Sequence, residues 1–122
     1  MSHVLVIDDD EFFREILLQM LLQDGHKVTL SNDGAKALAM LGRVRPDLIL
    51  TDILMPHMDG VELIMALSEK GHSVPVIAMS GGRRSITPAF NLDSARLLGV
   101  KVTLTKPFSH ADLRSALLQA LA

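Results

Sequence analysis

Five short apolar runs, Val4 to Ile7, Val28 to Leu30, Leu48 to Leu50, Val76 to Met79 and Val100 to Leu104, punctuate this chain of 122 residues at intervals that leave room for one helix apiece. Several lack polar alternation, as strands buried on both faces do. The stretches between them carry helical period. Phe12, Phe13, Ile16, Leu17, Met20 and Leu21 recur at three and four, with Gly25 as the stop. Ala37, Leu38 and Leu41 precede Gly42; Asp59 to Glu62 has a helix-start spacing ahead of Leu63, Ile64 and Leu67, with Gly71 beyond. Thr87-Pro88 opens a further helical stretch, and Ser109 caps a last one carrying Leu113, Ala116, Leu117 and Ala120. Strict alternation of strand and helix predicts one α/β domain over residues 1–122, a parallel sheet with helices on both faces.

The composition closes off several function classes. A 48% hydrophobic share can fill the core of a single domain of this length. Twelve basic and 14 acidic residues give a net charge of -2, without the positive field that nucleic-acid binding needs. Phe is the sole aromatic type, so platforms for stacking bases are not expected either. The absence of cysteine excludes disulfides, thiolate zinc sites and a cysteine nucleophile. The longest apolar run, Val74 to Met79, falls far short of the roughly 20 residues of a membrane span, and the amino terminus resembles no signal peptide. The expectation is a cytoplasmic protein that binds neither membrane nor nucleic acid.

In an open parallel sheet, ligands bind beyond the carboxyl ends of the strands. Polar groups stand there in this chain: Asp8, Asp9 and Asp10 after the first run, Thr51 and Asp52 after the third, Ser80 after the fourth, and Thr105, Lys106 and Pro107 after the fifth. Carboxylates brought together from adjacent strands repel, and a hard divalent cation relieves that repulsion. Oxygen donors without His or Cys select Mg or Mn over zinc. A lysine and a hydroxyl beside them suit phosphoryl oxygens. The set reads as an aspartyl-phosphate site, with Asp52 as nucleophile and Ser80 and Lys106 as clamps.

Val4-Leu-Val-Ile-Asp-Asp-Asp10, Pro46-Asp-Leu-Ile-Leu-Thr-Asp52, Met55-Pro-His-Met-Asp-Gly60, Val74-Pro-Val-Ile-Ala-Met-Ser80 and Thr105-Lys-Pro-Phe108 run in order along the whole chain. With these segments the sequence resembles the receiver domains of two-component response regulators. The resemblance implies a flavodoxin-like fold with strand order 2-1-3-4-5. It implies that Asp52 is the phosphoacceptor and a metal ligand, Asp9 the direct Mg ligand, Asp8 an outer ligand acting through water, and the Leu54 carbonyl a further ligand. Ser80 takes the switch-hydroxyl position, and Lys106 the lysine position, followed by a cis bond to Pro107. Two departures stand out. Thr103 occupies the switch position where receivers usually carry Tyr or Phe, and the segment from Ser80 to Gly99 is longer than the family norm.

Other residues are read more plainly. Asp10 is expected to cap the first helix; Asp59 and Glu62 form a helix start without chemistry. His3, His26, His57, His72 and His110 show no metal spacing and are expected at the surface, as are Arg83 and Arg84. Met55 and Met58 are candidates for an adaptable contact surface. The predicted function is a stand-alone receiver, phosphorylated on Asp52 by a histidine kinase or histidine phosphotransfer protein, that hydrolyses its own acyl phosphate and signals to a downstream protein partner. It is a switch rather than a conventional enzyme. The alternatives are a receiver excised from a larger regulator, or a binding module that no longer needs phosphorylation. With the ring replaced by Thr103, the switching movement is expected in Ser80 and the segment Gly81 to Thr87.

Overall fold

A computed structural model of the chain describes residues 2–53, 60–81 and 100–122. The helix expected from Thr87-Pro88 lies outside these residues. In the described part, strands β1 (His3–Ile7), β2 (Lys27–Ser31), β3 (Leu48–Asp52), β4 (Val76–Ser80) and β5 (Val102–Thr105) alternate with helices α1 (Glu11–Gln23), α2 (Gly34–Met40) and α3 (Gly60–Glu69), and α4 (His110–Leu121) follows β5. All neighbouring strands pair in parallel, in the order β2-β1-β3-β4-β5. This is the expected flavodoxin-like arrangement.

The period of two along each central strand divides the apolar side chains between two cores. Leu5, Ile7, Ile49 and Ala78 share a core with Ala37 of α2, Leu41 just past its end, and Leu63, Ile64 and Leu67 of α3. Val4, Val6, Leu48, Leu50, Ile77 and Met79 face Leu17 and Leu21 of α1 and Leu113, Ala116, Leu117 and Ala120 of α4. Covered on both faces, β3 and β4 are buried throughout, whereas the edge strands β2 and β5 are largely half-buried.

The helix ends follow local chemistry. The Asp10 carboxylate accepts from the amides of Phe12 and Phe13 and caps α1. Asp33 caps α2 in the same way, through Ala35 and Lys36. Ser109 and Asp112 form a reciprocal capping box on α4. At the far end of α1, Gly25 takes a φ of 86°, His26 N–H donates to the Leu21 carbonyl and Gly25 N–H to that of Leu22. Only glycine adopts that left-handed turn without steric cost.

Of the apolar residues with helical period in α1, Phe12 is 78% exposed: the face packed into the core carries buried Leu17 and Leu21 with partly buried Phe13 and Met20, and Phe12 lies off its edge. The described histidines also differ from free surface groups: His3, His26, His72 and His110 are all half-buried. His110 Nε2 lies 2.9 Å from Asp24 Oδ2, and Arg114 Nε donates to both Asp24 oxygens at 3.2 and 3.3 Å, tying the end of α1 to the start of α4. The Arg114 hydrogen bond holds the Asp24 carboxyl below the usual range, against a smaller opposing effect of burial and with help from His110. Among the described residues, no helix is long and apolar enough to cross a membrane.

Candidate functional site

Among the described residues, the buried polar side chains are Asp8, Ser31, Thr51, Asp52 and Ser80, and each stands at the carboxyl end of a strand or just after it. Sheet register explains why they converge. Pairing of Ile7 with Thr51 sets Asp8 beside Asp52, and pairing of Ser80 with Thr105 sets Lys106 just past Ser80.

Asp8 is fully enclosed. Its Oδ1 accepts from the Asp10 amide at 2.9 Å, its Oδ2 from Lys106 Nζ at 2.8 Å, and its backbone carbonyl from the Arg14 guanidinium at 2.6 Å. Asp52 is 6% exposed, and its Oδ2 accepts from the same Lys106 ammonium at 2.7 Å. Asp9 is exposed, yet carboxylate oxygens of Asp8, Asp9 and Asp52 all lie within 4.8 Å of one another. One ammonium thus bridges two of three clustered carboxylates.

Burial works against the charge on Lys106, but its hydrogen bonds to Asp52 and Asp8, with their electrostatic attraction, outweigh that and raise its pKa above the ordinary lysine value. The ammonium therefore stays charged throughout the physiological range. The donor set around it is oxygen only, and the excess negative charge suits a hard divalent cation such as Mg or Mn.

Lys106 is held from other sides as well. Its backbone amide donates to the Ser80 carbonyl at 2.8 Å, and the Lys106–Pro107 peptide bond is cis. Its ammonium lies 4.4 Å from the centroid of the Phe13 ring, which meets the Phe108 ring edge-on with centroids 5.5 Å apart. Ser80 closes β4 at 9% exposure. Gly81 follows with open space where a Cβ would stand, so crowding does not require glycine there.

Thr103 lies away from the carboxylates. It pairs with Ala78 in the edge strand and lines a depression of ≈ 350 Å³ with Leu104, Asp112, Ser115 and Gln119. Leu54, Met55, His57, Met58, Asp59, Arg83, Arg84 and Thr87 lie outside the described residues. Sequence reasoning passed over Phe13 and Arg14 as site residues. The available signal was their place in the first turn of a helix that begins directly after the acidic triplet.

A sequence profile of the response regulator receiver domain matches residues 4–118. Response regulator MprA of Mycobacterium leprae is 34% identical over 110 residues, covering 90% of this chain and 46% of that protein. The chain thus spans about half the length of the curated relatives it matches. The crystal structure of FixJ-N superposes with a TM-score of 0.89 at 29% identity, covering 99% of this chain and 94% of that one. Chemotaxis response regulator CheY4 of Vibrio cholerae gives a TM-score of 0.87 at 28% identity, covering 99% of both chains.

Proposed function

Since the chain belongs to the response regulator receiver domain family of two-component signalling, we propose that Asp52 accepts a phosphoryl group from a phosphohistidine on a partner histidine kinase or phosphotransfer protein. The observation that carries this reading is the buried Asp52 carboxylate, hydrogen-bonded to Lys106 and clustered with Asp8 and Asp9 at the strand ends.

In the transfer, an Asp52 oxygen forms a bond to phosphorus while the phosphorus–nitrogen bond to the donor imidazole breaks, leaving the electron pair on nitrogen. Lys106 brings positive charge to phosphoryl oxygens without having to surrender a proton, since its carboxylate partners keep it charged. Asp9, Asp8 and Asp52 would hold the metal, with the Leu54 carbonyl as a further ligand. When bound, Mg or Mn supplies charge neutralisation to the transferring group. Hydrolysis of the acyl phosphate restores the Asp52 carboxylate and releases inorganic phosphate.

Phosphorylation adds acceptor oxygens toward which the Ser80 hydroxyl and the Lys106 ammonium can donate. That difference in contacts is what biases the domain toward a second state and a downstream protein partner.

Incubation with acetyl phosphate and Mg, followed by intact-mass measurement, tests the reading. The chain gains about 80 Da, one phosphoryl group, and Asp52→Asn gains nothing. Labelling of Asp52→Asn at the wild-type rate would overturn the assignment.

A further inference from the structure

Phe13 lies outside the set of groups that hold phosphate or metal, yet its ring stands against the ammonium that bridges Asp8 and Asp52. Lysine reaches its target on a flexible four-carbon stem, so something must confine the ammonium if it is to stay in register. Two of its three donors are fixed by Asp8 and Asp52. Those hydrogen bonds are directional, and phosphorylation of Asp52 changes the set of oxygens the ammonium has to address.

A ring face attracts a cation through its quadrupole, and that attraction changes slowly as the cation slides over the face. It can therefore retain the ammonium while its hydrogen bonds are exchanged, as a carboxylate or amide cannot. Phe108 meets the Phe13 ring at 90°, which fixes the plane of that ring, and Phe108 stands two residues after Lys106 on the same turn of chain. The ammonium, the Phe13 ring and the Phe108 ring thus form a continuous series of contacts between α1 and the chain just after β5.

We infer that Phe13 is a positioning residue of the phosphoryl-transfer site, its ring face holding the Lys106 ammonium in reach of Asp52 before and during transfer. The inference rests on the reading of Asp52 as acceptor. It separates cleanly from a packing role, because leucine fills similar apolar space without a negative face.

The test compares initial rates of mass gain with acetyl phosphate and Mg for wild type, Phe13→Leu and Phe13→Tyr, with Phe13→Leu repeated in a Lys106→Met background. Phe13→Leu slows labelling about three- to tenfold, the range of a partly desolvated cation–π contact. Phe13→Tyr, which keeps a ring face, restores most of the loss. In the Lys106→Met background Phe13→Leu has no further effect, as expected when one residue acts through the other. An undiminished rate in Phe13→Leu, or an equal loss in both backgrounds, overturns the inference while leaving the acceptor assignment standing. No mass gain by wild type overturns the acceptor reading itself. A second measurement does not depend on labelling. The chain lacks Trp and Tyr, so F13W carries a sole indole beside the ammonium. Adding Lys106→Met to F13W shifts its emission if ring and ammonium touch, and an unchanged spectrum overturns the contact.

Discussion

The backbone amide of Lys106 donates to the carbonyl oxygen of Ser80 at 2.8 Å, so the residue that ends β4 fixes the backbone of the site lysine without using its own side chain. Ser80→Ala keeps that bond and removes only the hydroxyl. The expected outcome is that Ser80→Ala still takes up phosphate from acetyl phosphate, while the NMR shift of the Lys106 amide on phosphorylation becomes smaller than in wild type. A full-sized amide shift in Ser80→Ala would show that the hydroxyl plays no part in the switch.

Adjacent acids divide their roles. Asp10 caps α1 through the Phe12 and Phe13 amides, whereas Asp9 belongs to the carboxylate cluster. Asp10→Ala should lower stability by about 1 kcal/mol, as loss of an N-cap does, and leave Mg-dependent labelling largely intact. Asp9→Ala should do the reverse. Urea midpoints alongside a Mg titration of the labelling rate check both, and equal losses of labelling would mean the first metal ligand has been misplaced.

Lys106→Met removes the cation from between two buried carboxylates. Leaving buried charge uncompensated typically costs about 3–5 kcal/mol. Without metal, the urea midpoint of Lys106→Met should fall well below that of wild type, and millimolar Mg should restore more stability to the variant than it adds to wild type. No difference in the Mg effect would argue that the cation does not enter this cluster.

Asp24 supplies an acid-limb prediction. Its pKa in the fold is depressed, chiefly by the Arg114 hydrogen bond, so its contribution is fully present above the unfolded value of about 3.9 and lost as pH falls through the lower folded value. Asp24→Asn should therefore flatten the decline in unfolding midpoint between neutral pH and about pH 3 relative to wild type. Parallel pH profiles for the two chains would rule out a role for this tie in acid stability.

Much of the architecture was legible because the central strands are covered on both faces. Val4 to Ile7, Leu48 to Leu50 and Val76 to Met79 could be read as continuous apolar runs, and the capping chemistry of Asp10 and Ser109 is local. The polar residues at the strand ends were legible for the same reason, since the fold leaves them one edge to occupy. What could not be read were contacts across long separations between residues whose types have ordinary uses. His110 and Asp24 are 86 positions apart, and neither has a spacing that announces the other. Phe13 matched a helical core stripe equally well, and the direction of its ring toward Lys106 depends on how α1 and the end of β5 dock. That Phe12 is exposed could not be read either, because period alone does not decide which of two adjacent apolar residues sits at the edge of a stripe.

The bridging ammonium has a consequence for the making of the protein. Lys106 lies 54 positions after Asp52 and 98 after Asp8. At a synthesis rate of about 5–20 residues per second, Asp52 is made roughly 3–11 seconds and Asp8 roughly 5–20 seconds before their counter-ion. The bridge forms only once β5 has docked beside β4. A nascent or truncated chain ending before β5 thus lacks the bridging cation, and the acidic cluster reaches its full ionic composition only with completion of the sheet.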